Sequence, residues 1–259
     1  MKDRSLSFFV PQWPVIYEDN HLLAMYKPSG LLIQGDRTGD IPLLDLCKIW
    51  LKERYGKTGR VFLGTVHRLD RPAAGVILFA RTSKAAGRLS EQFRSGIPKK
   101  RYLAVVEGSV SPASGTLINN MERKGPTSRI VESRSSSSRE ARLTYRLLGV
   151  SRNRSYLEID LDTGRHHQIR AQLANLGFPV LGDLRYGASG PLPKRQIALL
   201  ASRLTVEHPT LKRDVSFYCP LPLGWPWRKS DEADSPPWNW IDLKQEVLSR
   251  IGDISTLNF

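Results

Sequence analysis

The chain of 259 residues has only two cysteines, Cys47 and Cys219, and no Cys-x-x-Cys pair. A dithiol redox motif is excluded, and a reduced, cytoplasmic setting is expected. Cys47 falls on a predicted helix and reads as core. No apolar run approaches the roughly 20 residues of a membrane helix. The opening Met1-Lys2-Asp3-Arg4-Ser5-Leu6-Ser7-Phe8-Phe9 lacks the apolar region of a signal peptide. There is no internal repeat. There is also no Gly-rich phosphate loop and no Asp-Phe-Gly, so His67-Arg68-Leu69-Asp70 is not the His-Arg-Asp loop of a kinase. His166 and His167 are adjacent, which on a helix would turn them to different sides, so no metal or cofactor is expected. Acid is scarce as well: 25 Asp and Glu stand against 39 Lys and Arg, a formal net charge of +14. Phosphate neutralisation dominates nucleic-acid affinity, so this balance favours a polyanionic partner over mere solubility.

What is present centres on Asp70. It lies between Arg68 and Arg71, and the apolar run Val76-Ile77-Leu78-Phe79-Ala80 follows. That run reads as a buried strand, which puts Asp70 in a turn at the mouth of a sheet. A second segment, Tyr156 to Leu161, alternates as a strand. After the turn Asp162-Thr163-Gly164, a helix is expected to open at Arg165 and carry Ile169, Leu173 and Leu176 inward until Gly177. Arg165 and Arg170 would then sit at its positive end, an anion-binding arrangement.

Elsewhere, strands are expected over 15–17 and 22–26 and helices over Pro42 to Tyr55 and after Thr82, whose side chain suits a helix cap. Arg101 to Glu107 reads as a strand, with Tyr102 on the face of Ala104 and Val106, suited equally to a pocket wall and to core. Residues 109 to 140 show little periodicity. Within them Ser133 to Arg139 reads as a mobile basic loop, either a solvated hairpin tip or an RNA-contacting finger. Pro191 to Arg213 reads as a hairpin-like strand pair. A Pro- and Trp-rich stretch and a short helix over 241–251 are expected near the end.

Four blocks, in order, resemble a pseudouridine synthase of the ribosomal large-subunit synthase A family. They are Lys27-Pro28-Ser29-Gly30; His67 to Gly75; Arg101 to Gly108; and Thr163 to Gly187, which includes Gln168-Ile169-Arg170 and Gly182-Asp183 through Tyr186-Gly187. The resemblance spans roughly 14–222. It divides the chain into an N-terminal arm (1–13), a catalytic domain (14–222) and a Pro/Trp-rich tail (223–259), without an S4 domain. It implies an α+β fold, a central, mostly antiparallel sheet flanked by helices and loops around a basic cleft. It also implies isomerisation of uridine in structured RNA, rRNA or tRNA, by a monomer that needs no cofactor, metal or membrane.

The resemblance implies roles too. Asp70 is the catalytic carboxylate, either adding to the sugar or assisting proton removal. Arg170 pairs with it, unless it is a phosphate contact. Tyr102 stacks on the flipped base, which needs a new apolar face, either as its sole role or while also moving a proton. Arg68 enters the space the base leaves, unless it is a structural salt bridge. Arg71, Lys27, Arg101 and Arg165 are expected to contact the RNA backbone, as are Lys99 and Lys100. Two departures stand out: Ala73-Ala74 where the family has Thr-Ser, and His166 where it has Thr or Ser. The first keeps open a catalytically weak or inactive RNA-binding or folding factor of the same fold.

Overall fold

The computed structural model describes residues 15–222 and 224–227, so the expected arm (1–13) and the tail helix over 241–251 lie outside the described residues. Two short N-terminal strands, β1 (Val15–Glu18) and β2 (Leu22–Lys27), form a hairpin, and helix α1 (Leu43–Arg54) follows. β3 (Gly64–Thr65) leads through the Asp70 turn into β4 (Ala74–Ala80). Then come α2 (Ser83–Arg94) and β5 (Lys99–Glu107). β6 (Ser114–Lys124), β7 (Thr127–Val131), β8 (Arg139–Ser151) and β9 (Arg154–Leu161) follow, with β6 between β7 and β8, and β8 between β6 and β9, all antiparallel. α3 (Gln168–Asn175), β10 (Leu199–Glu207) and β11 (Asp214–Tyr218) are the last described α-helix and strands.

All these strands belong to one sheet. Its main path is β1-β2-β4-β10-β5-β9-β8-β6-β7, with β3 on β4 and β11 on β10. Every pairing is antiparallel except the short β4–β10 contact at Ala74–Leu200 and Gly75–Ala201. Gly75 belongs there for a steric reason: its φ is +129°, and an added Cβ would lie 2.4 Å from the Ala201 backbone.

β4 explains why its sequence is apolar without alternation. Val76, Leu78 and Ala80 face one core with Ala85 and Leu89 of α2; Ile77 and Phe79 face a second core with Leu43, Leu46 and Trp50 of α1. A strand covered on both sides needs apolar residues at every position. The Thr82 hydroxyl accepts from the Ala85 N–H at 3.2 Å and so caps α2 as expected. Among the described residues no helix is long and apolar enough to cross a membrane.

Two expectations are corrected. Residues 109–140 are mostly strand, and the Ser133–Arg139 stretch is a tight connection in which the Ser135 and Ser138 side chains bond each other's backbone N–H. Helix α3 begins at Gln168, three residues after Arg165, because His167 takes a left-handed conformation (φ 54°) that no helix can include.

Candidate active site

Asp70 sits in the turn between β3 and β4, where its carbonyl accepts from the Ala73 N–H at 3.1 Å. A neighbouring loop clamps this turn. Ser29 Oγ donates to the Pro72 carbonyl (2.5 Å), Gly30 N–H to the Arg71 carbonyl (2.7 Å), and Arg71 Nε returns a bond to the Gly30 carbonyl (3.0 Å). Ala73 and Ala74 are buried. Their missing hydroxyls therefore leave the loop anchored through backbone groups.

Lys27 completes the clamp and corrects an expectation. Its ammonium is fully buried and donates to the carbonyls of Pro28 (3.0 Å), Leu31 (3.0 Å) and Arg71 (3.2 Å). It cannot reach a phosphate. Burial lowers its pKa to about 7, with Asp70 pulling the other way. The unfolded chain holds this proton up to about 10.5, so between about 7 and 10.5 the unfolded state binds more protons. Stability must then rise with pH, by at most about 1.4 kcal/mol per unit. Denaturant unfolding at pH 6 to 9 should show the stability of the parent minus that of Lys27→Met rising above pH 7 and flat below it. A gap flat to pH 9 would mean that the three carbonyls hold the proton.

Arg170 reaches Asp70 from the first turn of α3, 100 residues away in sequence: Nη1 donates to Asp70 Oδ2 at 2.9 Å. Its other nitrogens form a fork on the buried Asp183, Nε to Oδ2 at 2.6 Å and Nη2 to Oδ1 at 2.8 Å. Its guanidinium also lies 4.9 Å from the centre of the Tyr186 ring. One cation is thus fixed by a buried acid and an aromatic face, and spends its remaining edge on Asp70. Asp183 and Tyr186 were not singled out from sequence. The available signal was an acid and an aromatic three residues apart between Gly182 and Gly187: the short 3-10 turn Leu184–Tyr186 brings both to Arg170.

His167 also approaches Asp70, with Nε2 at 3.6 Å from Oδ2. Burial pushes its pKa down to about 3 despite the opposing pull of Asp70, so the imidazole is neutral. His166 and His167 do not face apart as expected. They stand before the helix with rings stacked at 3.8 Å.

Tyr102, half-buried on β5, packs against the core. Burial first and the charge of Asp70 second raise its phenol pKa, so it is a neutral hydroxyl. Arg101 points to the opposite face, as strand alternation requires. It forms a fork on Asp160 (2.8 Å twice) and reaches Glu158 at 3.3 Å, so two acids already face its charge. Arg68, Arg71 and Arg165 remain exposed. Arg71 pairs with Asp40, and Arg165 Nε donates to the Glu140 carbonyl at 2.8 Å. A cleft of about 1370 Å³ opens beside the site, with Arg71, Arg185 and Arg195 among its walls and His167, Arg170 and Asp183 lining it too. A carboxylate held by one buried arginine, next to a neutral phenol and a basic cleft, can take part in bond cleavage at a sugar and receive a polyanion.

Comparison with known proteins agrees with this chemistry. The family model described as RNA pseudouridylate synthase matches residues 21–175. The chain is 31% identical over 229 residues to the uncharacterized RNA pseudouridine synthase YhcT of Bacillus subtilis, covering 86% of this chain and 74% of that one. It is 32% identical over 216 residues to the dual-specificity RNA pseudouridine synthase RluA of Haemophilus influenzae, covering 80% and 92%. Human RNA pseudouridylate synthase domain containing 4 shares the fold, with a TM-score of 0.69 at 24% identity over 81% of this chain and 89% of that one. With the motif order, the mixed sheet and the extent of these matches in agreement, the chain belongs to the RluA family of RNA pseudouridine synthases, isomerases that convert uridine to pseudouridine within RNA.

Proposed function

We propose that the enzyme isomerises specific uridines in structured rRNA or tRNA and that Asp70 is its catalytic carboxylate. The observation that carries this is the 2.9 Å contact from the doubly anchored Arg170 to Asp70. The reaction breaks the N1–C1′ bond, turns the uracil and joins C5 to C1′. C5 gives up a proton and N1 gains one, so no oxidant or energy source is consumed. An ionised carboxylate serves either route, attack on the sugar or assistance to departure of the base. Tyr102 supplies the face on which a flipped uracil stacks, offsetting the few kcal/mol lost when it leaves the helix. Arg68, which is exposed and two residues before Asp70, enters the vacated stack. The turn is anchored by Ser29 and Gly30 without hydroxyls at positions 73 and 74, which favours an active enzyme over an inert binder.

Tritium release from RNA carrying 5-tritiated uridine tests the activity: an isomerase releases the label, and a binder releases none. Mapping pseudouridines in cells with and without the protein identifies the site.

Salt tests the RNA contacts. Affinity should fall steeply as salt rises, and the slope of log affinity against log salt counts engaged phosphates. Arg165→Ala should lower that slope by about one. Arg101→Ala should leave it unchanged, because Asp160 and Glu158 already answer that charge. Equal slopes for parent and Arg165→Ala would remove Arg165 from the interface.

A further inference from the structure

The geometry points to His167 as a positioning residue that holds one oxygen of Asp70 and leaves the other to react. This rests on Asp70 being the reacting carboxylate. Both groups that approach Asp70, Arg170 Nη1 at 2.9 Å and His167 Nε2 at 3.6 Å, do so at Oδ2. Among the described residues no donor is paired with Oδ1.

The proton on His167 can be placed by its neighbours. The Tyr186 oxygen accepts from the Ser128 N–H at 2.9 Å and lies 2.9 Å from His167 Nδ1. A phenol has one proton to give, and among the described residues Nδ1 is the acceptor within reach. With Nδ1 accepting, the neutral ring carries its hydrogen on Nε2, the nitrogen that faces Asp70. The opposite tautomer would aim a lone pair at a carboxylate. The relay thus runs from Ser128 N–H to Tyr186 O–H to His167, whose Nε2–H faces Oδ2.

The ring is held in this pose from its other face. His166 stacks on it, and His166 Nδ1 lies 3.1 Å from Ser128 Oγ. The same serine therefore anchors the relay through its backbone and the stack through its side chain. At 3.6 Å the Asp70 contact is longer than a hydrogen bond. Contacts of this kind tighten when substrate binds. Closing it adds a second donor on Oδ2, so that Oδ1 is the oxygen turned toward the nucleotide. A neutral donor does this without adding a second cation that would draw charge from the carboxylate.

Two substitutions separate this role from a backbone role. His167 has φ 54°, a conformation that asparagine accepts more readily than glutamine. Glutamine has the reach to place an N–H near Oδ2, and asparagine is too short. Steady-state tritium release should show kcat for His167→Asn lower by about 10- to 100-fold, the value of one hydrogen bond to a charged group. Its KM for RNA should stay within about twofold of the parent. His167→Gln should recover about tenfold of that loss. Tyr186→Phe tests the same relay without touching the left-handed backbone, and it should lower kcat with KM unchanged.

Asparagine equal to or faster than glutamine would make the residue a backbone device and overturn the inference. So would parental kcat in Tyr186→Phe, or a loss confined to KM. Asp70→Asn, run alongside, reports on the underlying reading separately: if it turns over, Asp70 is not the reacting group, whatever His167 does.

Discussion

Asp70→Asn should abolish tritium release while leaving the protein folded and bound to RNA. The amide has the same size, and its oxygen still accepts from Arg170 Nη1, so the turn keeps its shape. What it loses is the negative charge, which both routes to glycosidic cleavage require. The stability cost is about 1 kcal/mol or less, because the Asp70 side chain is about one quarter exposed and solvent screens the pair. Thermal melting and RNA affinity should match the parent. Turnover near the parent rate would remove Asp70 from the chemistry.

Arg170→Ala damages the protein in two ways, and they can be separated. Asp183 is 2% exposed and receives both of its side-chain bonds from Arg170, so the substitution strands a buried carboxylate. Breaking such a pair from one side costs about 3–5 kcal/mol. For a protein of this size the melting temperature should fall by roughly 10 °C. Turnover should collapse as well, since Asp70 loses the donor on Oδ2. Arg170→Lys keeps the charge but not the fork and should fall between parent and alanine in both measurements. The double variant Arg170→Ala with Asp183→Ala removes the stranded charge. It should recover stability without recovering turnover. Recovery of turnover in the double variant would show that Arg170 matters to Asp70 only through folding.

The elements legible in the sequence were those whose burial is simple. The Val76–Ala80 run announces a strand covered on both faces, and Thr82 marks the start of α2. The turn at Asp70 follows from its place before that run. The basic residues were harder, because charge alone does not say where a side chain ends up. Lys27 looked like a surface cation, yet three backbone carbonyls solvate it inside the fold. Arg101 looked free until strand pairing set Asp160 opposite it. The start of α3 was misplaced because one left-handed residue, His167, breaks a pattern that periodicity would continue. Residues 109–140 hid their strands because β6 and β7 are largely half-exposed, and a serine, Ser128, takes a buried position there. His167, Asp183 and Tyr186 escaped assignment because their work is to place other groups, and that shows only in three dimensions.

The position of β10 governs when this protein can begin to act. It lies between β4 and β5 in the sheet, although it is made more than ninety residues after β5 ends. Until it arrives, the strand that follows Asp70 and the strand that carries Tyr102 are unjoined edges, and Arg170 has no fixed Asp70 to meet. Such distant pairings make folding slow and leave edges open to wrong partners meanwhile. If Asp70 and Tyr102 form the site, a nascent chain should stay inactive until β10, the last described strand but one, has been made. A chain cut short before β10 lacks the strand that joins the one following Asp70 to the one carrying Tyr102, so the proposed site should not assemble in it.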